Sequence, residues 1–222
     1  MAISVLVAVG GIADELVARV ADRTRTIVTG DGRASSEGEP DMGPLVTAAH
    51  RDRVTAFIVA GERAGAKVVV DGRVVRPQGQ PDGFWLGPTL FDHVRPEMEI
   101  YREEIFGPVL CVVRVETYDE AVALVNDNHY GNGTAVFTND GGAAKRFEED
   151  VQVGMIGVNV PIPVPTAYYS FGGRKRSLFG DTHAYGTEGV HFFTRGKVVT
   201  TRWIDPANRP EGGLELGFPR NV

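Results

Sequence analysis

The chain has 222 residues, a formal net charge of -6 and 42% hydrophobic residues, values typical of a soluble globular protein with one substantial core. Basic residues are scattered along this acidic chain, which argues against a nucleic-acid-binding surface because phosphates require a concentrated positive footprint. The apolar run at 1–9 is too short to span a bilayer and has no basic leader, so the sequence predicts a cytoplasmic protein.

The first third of the chain alternates apolar periodic segments with segments rich in glycine and proline. Its apolar start at 2–9 has no preceding cap or turn, so it is either a buried first strand or helix or the continuation of a longer chain. Hydrophobic residues at helical spacing indicate two helices, with glycines and prolines between them in an exposed loop. The predicted elements are a helix over 12–24, a loop over 30–44, a helix from its cap at Thr47 to about Gly65, and a strand over 67–70.

The middle of the chain alternates strands with helices. The run 109–115 is almost continuously apolar and β-branched, as expected of a strand covered on both faces, and Thr117 and Glu120 form a capping box directly after it. Because crossovers are almost always right-handed, we expect an α/β fold with one parallel sheet and flanking helices. The predicted strands cover 109–115, 134–138 and 155–160, and the predicted helices start at Thr117 and near Ala143.

The last part of the chain differs in character. Residues 161–189 are rich in proline, glycine and aromatic residues, which predicts irregular loops. A late, solitary strand at 198–203 must find an edge to pair with, so we expect oligomerisation through this strand. The sequence thus divides into a main unit over 1–195, an oligomerisation strand over 196–203 and a flexible tail over 204–222.

Few residues signal chemistry by themselves. Cys111, the one cysteine, lies within a run of valine and leucine, where burial favours inert packing over catalysis. The histidines, including His183 and His191, have no metal-ligand spacing, so no metal site is predicted and surface or packing roles are favoured. Neither a dinucleotide-binding glycine fingerprint nor a phosphate-binding loop follows a predicted strand.

The segment 103–108, Glu-Glu-Ile-Phe-Gly-Pro, places two carboxylates, an aromatic ring and a rigid turn ahead of a buried strand. A carboxylate accepts hydrogen bonds from vicinal hydroxyls such as those of a ribose, and a ring packs on a flat heterocycle. The alternative is that Glu103 and Glu104 are solvated loop acids, as charged pairs before a strand commonly are.

Several short motifs follow one another in a fixed order. They are the Pro-Thr-Leu-Phe at 88–91, the acidic-Phe-Gly-Pro segment at 103–109, the Tyr-Gly at 130–131, the strand at 134–138, the Val-Asn at 158–159 and the Ser-Phe-Gly-Gly at 170–173. Together these motifs make the chain similar to the aldehyde dehydrogenase superfamily. Four segments resemble the methylmalonate-semialdehyde dehydrogenase subgroup. These cover 41–46, 130–134, 157–165 and 180–186.

The resemblance implies oxidation of malonate or methylmalonate semialdehyde with NAD, release of carbon dioxide and transfer of the acyl group to coenzyme A, as in valine catabolism. It implies that Glu104 holds the nicotinamide ribose and that Phe106 flanks the nicotinamide. The implied substrate-pocket residues, which would shape the aldehyde entrance, are Asn159, Pro161, Ile162, Pro163 and Phe171.

The same resemblance implies that the family's nucleophilic cysteine would lie just before Met1, because the Met-Ala-Ile-Ser at 1–4 matches the residues that follow it. The cofactor domain, general base and carboxylate-binding arginines would also precede this chain. We therefore expect a C-terminal portion that is inactive alone, poorly soluble or oligomeric, and partnered by a homologous subunit or the N-terminal half. Alternatives are a non-catalytic remnant or oligomerisation module, and a fragment of another aldehyde dehydrogenase subgroup.

Overall fold

A computed structural model describes residues 2–33, 39–77, 83–201, 203 and 207 of the chain. The strands are β1 (Val5–Val9), β2 (Lys67–Val70), β3 (Thr89–Asp92), β4 (Val109–Val115), β5 (Tyr130–Gly131), β6 (Gly133–Val136), β7 (Met155–Val158) and β8 (Arg174–Lys175). The α-helices are α1 (Ala13–Arg25), α2 (Ala48–Arg63), α3 (Glu99–Arg102), α4 (Tyr118–Asp127), α5 (Gly141–Asp150) and α6 (Gly186–Phe193).

The main sheet has four strands in the order β1-β4-β3-β2. Strand β4 pairs in parallel with β1 on one side and with β3 on the other, while β2 runs antiparallel to β3. The apolar start of the chain is therefore a strand, and in the described part of the chain it forms one edge of this sheet.

Helices cover both faces of the main sheet. On one face, Val17 of α1 shares a buried cluster with Leu90 and Val112. On the other, Ile58 of α2 shares a buried cluster with Phe91, and α3 contributes to the same cluster. Neighbouring side chains of β3 and β4 thus point into different clusters, which confirms the prediction of a strand covered on both faces.

Strands β6 and β7 pair in parallel with each other in a separate two-stranded sheet. The expectation that β4, β6 and β7 form one parallel sheet is therefore wrong. Both edges of β4 are already occupied by β1 and β3, so no edge of β4 is left for β6. Val122 of α4, Phe147 of α5 and Val136 of β6 share a separate cluster, so helices still cover a parallel pair and the predicted α/β class is confirmed.

The helix starts follow the predicted capping chemistry. Thr47 Oγ1 accepts a hydrogen bond from the His50 amide at 3.1 Å, and Thr117 Oγ1 accepts one from the Glu120 amide at 3.2 Å. The Glu120 carboxylate accepts from the Glu116 amide at 2.7 Å, one residue earlier than in the predicted capping box.

The C-terminal part contains more regular structure than predicted up to residue 193 and less beyond it. Helix α6 begins at Gly186, inside the segment expected to be irregular. Residues 194–201 form no strand with the described residues, and Val198 is 94% exposed. The oligomerisation strand stays a prediction, because a strand requires a partner edge. Apart from residue 207, the expected tail at 204–222 lies outside the described residues.

Within the described ranges, no helix is both long enough and apolar enough to cross a membrane.

Candidate functional site

The predicted cofactor-binding segment is a turn between α3 and β4. Ile105 is 6% exposed and belongs to the main core, whereas the ring of Phe106 next to it is 72% exposed. Phe106 has a φ of 59°, a left-handed conformation that is unfavourable for a bulky residue. Gly107 packs closely on Val54, since a Cβ added there would lie 2.6 Å from Val54 Cγ1. Ile105 and Gly107 therefore anchor the turn and direct Phe106 outward.

The two acidic side chains of this turn are exposed to solvent. Arg53 Nη2 donates to the main-chain oxygen of Glu104 at 3.4 Å, which ties the turn to α2. Among the described residues, the carboxylates of Glu103 and Glu104 form no hydrogen bond or ion pair. A free carboxylate and an outward-facing ring two residues apart fit the requirements for holding a ribose and a flat heterocycle.

We expect Gly107→Ala to lower the free energy of unfolding by about 1–3 kcal/mol, because the added methyl group overlaps Val54. Combining it with Val54→Ala should cost less than the sum of the two single changes, since the smaller residue removes the overlap. Urea unfolding followed by circular dichroism measures both effects. Gly141→Ala is the control, because nothing lies within 4 Å of a Cβ added at that position. Equal losses in the two glycine variants would contradict close packing at Gly107.

Asn159 has a structural task that the sequence did not indicate. Its side-chain Oδ1 accepts from the Thr138 amide at 3.0 Å, and its Nδ2 donates to the Thr138 carbonyl at 3.0 Å. Its φ of 56° takes the backbone out of the extended region, so β7 ends earlier than predicted. Because both polar atoms bind Thr138, Asn159 positions the loop that follows. Pro161 and Ile162 lie exposed on this loop, and Pro163 is partly exposed.

The structure contains a cleft of about 500 Å³ that includes only part of the predicted substrate pocket. Phe171 lines it and stacks on Tyr185, with ring centroids 4.6 Å apart and planes 18° apart. Asn159 and the prolines and isoleucine at 161–163 do not line it. Six of the residues that form its walls are Met155, Val164, Phe171, Leu178, His183 and Tyr185.

A polar cluster beside this cleft was missed by sequence reasoning, which favoured a surface or packing role for His183. Ser170 Oγ donates a hydrogen bond to Glu188 Oε2 and lies 3.3 Å from His183 Nδ1. Glu188 Oε2 also accepts from the His183 amide at 3.2 Å. Hydrogen bonds from Ser170, then from the His183 amide, hold the pKa of Glu188 below its usual range. These residues come from two loops and a helix, so no spacing in the sequence could have revealed the cluster.

The single cysteine is confirmed as a packing residue. Cys111 is 1% exposed, and its Sγ donates to the Ile100 carbonyl at 3.5 Å. Burial raises the pKa of this thiol to about 12, so a nucleophilic thiolate is strongly disfavoured. Within the described ranges, no group of histidine, cysteine and acidic residues is arranged to hold a metal ion.

Comparison with known proteins adds independent evidence. A model described as the aldehyde dehydrogenase family matches residues 1–199. Malonate-semialdehyde dehydrogenase of Pseudomonas aeruginosa is 54% identical over 220 residues, which is 99% of this chain and 43% of the relative. This chain therefore spans about two fifths of the length of that relative.

Two solved structures resemble the chain closely. Methylmalonate-semialdehyde dehydrogenase from Oceanimonas doudoroffii has a TM-score of 0.87 and 49% identity, and the match covers 92% of this chain and 41% of that one. Mycobacterium tuberculosis aldehyde dehydrogenase in complex with NAD+ has a TM-score of 0.77 and 33% identity, and the match covers 86% of this chain and 38% of that one. With residues 1–199 matched by the family model, the chain belongs to the aldehyde dehydrogenase family.

Proposed function

We propose that the chain is the C-terminal part of an NAD-dependent, CoA-acylating malonate- or methylmalonate-semialdehyde dehydrogenase. The complete enzyme would convert a semialdehyde, coenzyme A and NAD into an acyl-CoA, carbon dioxide and NADH, in the cytoplasm. The turn at 104–106 carries this proposal, because the Glu104 carboxylate has no partner among the described residues and the ring of Phe106 is exposed. The names of the relatives support the choice of substrate.

The residues of this chain would bind and orient the cofactor. Glu104 would accept hydrogen bonds from the two nicotinamide-ribose hydroxyls, and Phe106 would pack against the nicotinamide ring. When bound, NAD supplies the hydride acceptor for aldehyde oxidation. Phe171 would form part of the wall along which the aldehyde enters, in the cleft of about 500 Å³.

The nucleophile would come from another part of the enzyme, because Cys111 is buried and its pKa is raised. We therefore expect no NADH from the purified chain with malonate semialdehyde, NAD and coenzyme A. Adding the N-terminal three fifths of the Pseudomonas aeruginosa relative as a separate polypeptide should restore NADH formation, followed at its absorbance band. Activity of the mixture should be unchanged by Cys111→Ala. Turnover by the chain alone that survives Cys111→Ala would refute the proposal.

A second candidate is a non-catalytic interaction module, favoured by the exposed 194–201 segment and by the position of β1 at a sheet edge. We expect the chain to self-associate in analytical ultracentrifugation. Val199→Asp should weaken this association about tenfold, because an aspartate disfavours strand pairing. Val46→Asp is the control, as Val46 and Val199 are both exposed, at 84% and 72%. A monomeric wild-type chain, or equal effects of the two changes, would exclude pairing through this segment.

A further inference from the structure

The cluster of Ser170, His183 and Glu188 fixes how the imidazole is presented to the cleft. The Ser170 hydroxyl donates its hydrogen to Glu188, so its lone pairs are left for His183 Nδ1 at 3.3 Å. The second neighbour of Nδ1 is Glu188 Oε2, at 3.5 Å. Both neighbours are acceptors, so Nδ1 carries the hydrogen and Nε2 of the neutral ring carries the lone pair.

This arrangement differs from a nucleophile-base-acid triad. In a triad the hydroxyl binds one ring nitrogen and the carboxylate binds the other. Here Ser170 and Glu188 both lie at Nδ1, so the serine cannot be activated by Nε2. The cluster therefore orients the imidazole so that Nε2 is its basic atom. The proton that Nε2 accepts must come from a bound ligand.

The ring of His183 forms part of the cleft wall. The ring of His183 packs against Gly172, where an added Cβ would be 2.8 Å from Nε2, and both residues line the cleft. No hydrogen bond to Nε2 comes from the part of the chain that the structure describes. Val164, Phe171 and Leu178 supply apolar wall nearby, so the cleft suits a short aliphatic end group that carries a hydrogen-bond donor.

We propose that His183 Nε2 is the proton acceptor for the thiol of coenzyme A, an inference that rests on the proposed function. A thiol attacks a thioester as its thiolate, so it must lose its proton first. His183 Nε2 takes that proton, and the resulting imidazolium is stabilised by Glu188 behind it. The thiolate forms a carbon–sulfur bond to the acyl group held on the reactive cysteine of the complementary polypeptide. The bond to that cysteine breaks, and the cysteine leaves as its own thiolate.

The first test uses the full chain labelled with 15N-histidine. Long-range 1H–15N correlation spectra report which ring nitrogen carries the hydrogen. We expect the Nδ1–H form for His183, opposite to the form that free imidazole side chains prefer in water. Glu188→Ala should revert His183 to the Nε2–H form, whereas Glu188→Gln, which still offers an acceptor oxygen, should retain Nδ1–H. An Nε2–H form in the wild-type chain would overturn the proposal.

The second test adds pantetheine, the thiol-ended arm of coenzyme A, to the labelled chain. We expect a saturable shift of the His183 Nε2 resonance, no shift with S-methylpantetheine, and no shift of His191, which lies exposed on α6. Equal shifts with both ligands, or none with pantetheine, would overturn the proposal. A shift with hydrated propionaldehyde but not with pantetheine would mean that Nε2 accepts a hydrogen bond from a hydroxyl group and not from a thiol. That result would also overturn the proposal.

Kinetics of the reconstituted enzyme separate this inference from the proposed function. For His183→Gln we expect the first equivalent of NADH to form at the wild-type rate. Steady-state turnover should then fall about 100-fold, because only the step that consumes coenzyme A has lost its base. Wild-type steady-state turnover in this variant would overturn the role of His183 and leave the dehydrogenase proposal intact. Absence of any NADH from the wild-type mixture would refute the proposed function itself.

Discussion

Replacing Arg114 with methionine will lower the free energy of unfolding by about 3–5 kcal/mol, because it leaves the carboxylate of Asp92 buried without its partner. Asp92 is 2% exposed at the end of β3. Arg114 Nε and Nη2 donate to its two oxygens at 2.9 and 2.7 Å, and Nη1 donates to Asp14 at 2.7 Å. One guanidinium thus connects β4, β3 and α1, and its removal weakens all three contacts together.

Urea unfolding of the two single variants and of the double variant measures the interaction energy between Arg114 and Asp92. Arg114→Met and Asp92→Asn together should lose less stability than the sum of the single losses, since the second change removes the isolated charge. Arg19→Met is the control, because Arg19 and Glu15 form a pair with side chains 77% and 71% exposed. Exposed pairs of this kind contribute at most about 1 kcal/mol. A loss in Arg114→Met as small as in Arg19→Met would contradict a buried ion pair.

The same pair predicts a pH dependence of stability. Burial by itself would raise the pKa of Asp92, but hydrogen bonds from the Arg114 guanidinium and the His93 amide outweigh it and hold the pKa below its ordinary value. Between the two pKa values the unfolded chain binds more protons than the folded one, so stability rises with pH there. The contribution of ionised Asp92 to the free energy of unfolding is complete above about pH 4 and is lost as pH falls through the folded-state pKa. Asp92→Asn should remove this part of the acid dependence.

Local patterns predicted helices α1, α2, α4 and α5 and strands β2, β4, β6 and β7, because each of those elements is determined by its own residues, whereas α3 and α6 were not predicted. Strand β3 was missed because it has only four residues and begins and ends with polar ones, Thr89 and Asp92. Their burial depends on distant partners, since Thr89 Oγ1 binds the Gly72 amide and Asp92 binds Arg114. The division into two sheets was missed for a similar reason. Strand pairing depends on which edges are occupied, and periodicity carries no information about that.

In the candidate site too, sequence patterns did not reveal contacts between residues that no single motif contains. Glu104 and Phe106 were predicted together because one short motif contains the acid, the ring and the turn that exposes them. Phe171 and Asn159 were both predicted to line the substrate pocket. Phe171 lines the cleft, whereas both polar side-chain atoms of Asn159 bind Thr138. The cluster at His183 depends on a contact with Glu188 across a helix start, where the fold brings together residues that no motif joins.

In the reconstituted enzyme, Glu104→Ala will lower kcat/KM for NAD about 100-fold. We expect two ribose hydroxyls to donate to this carboxylate, and hydrogen bonds to a charged group contribute about 1.5–3 kcal/mol each. Loss of about 3 kcal/mol corresponds to roughly two powers of ten in rate. Initial rates of NADH formation at varied NAD and saturating semialdehyde measure the change.

Glu103→Ala is a closely matched control, because Glu103 is the neighbouring carboxylate, is exposed and forms no ion pair with the described residues. Residues in succession on an extended turn point in different directions, so only one of the two carboxylates can lie beside Phe106 and the ribose at once. Glu103→Ala should therefore leave kcat/KM for NAD near its wild-type value. Unfolding curves that coincide for both variants would assign the difference to cofactor binding. Equal kinetic losses would instead mean that the two carboxylates act through their summed negative charge, and the specific role of Glu104 would be refuted.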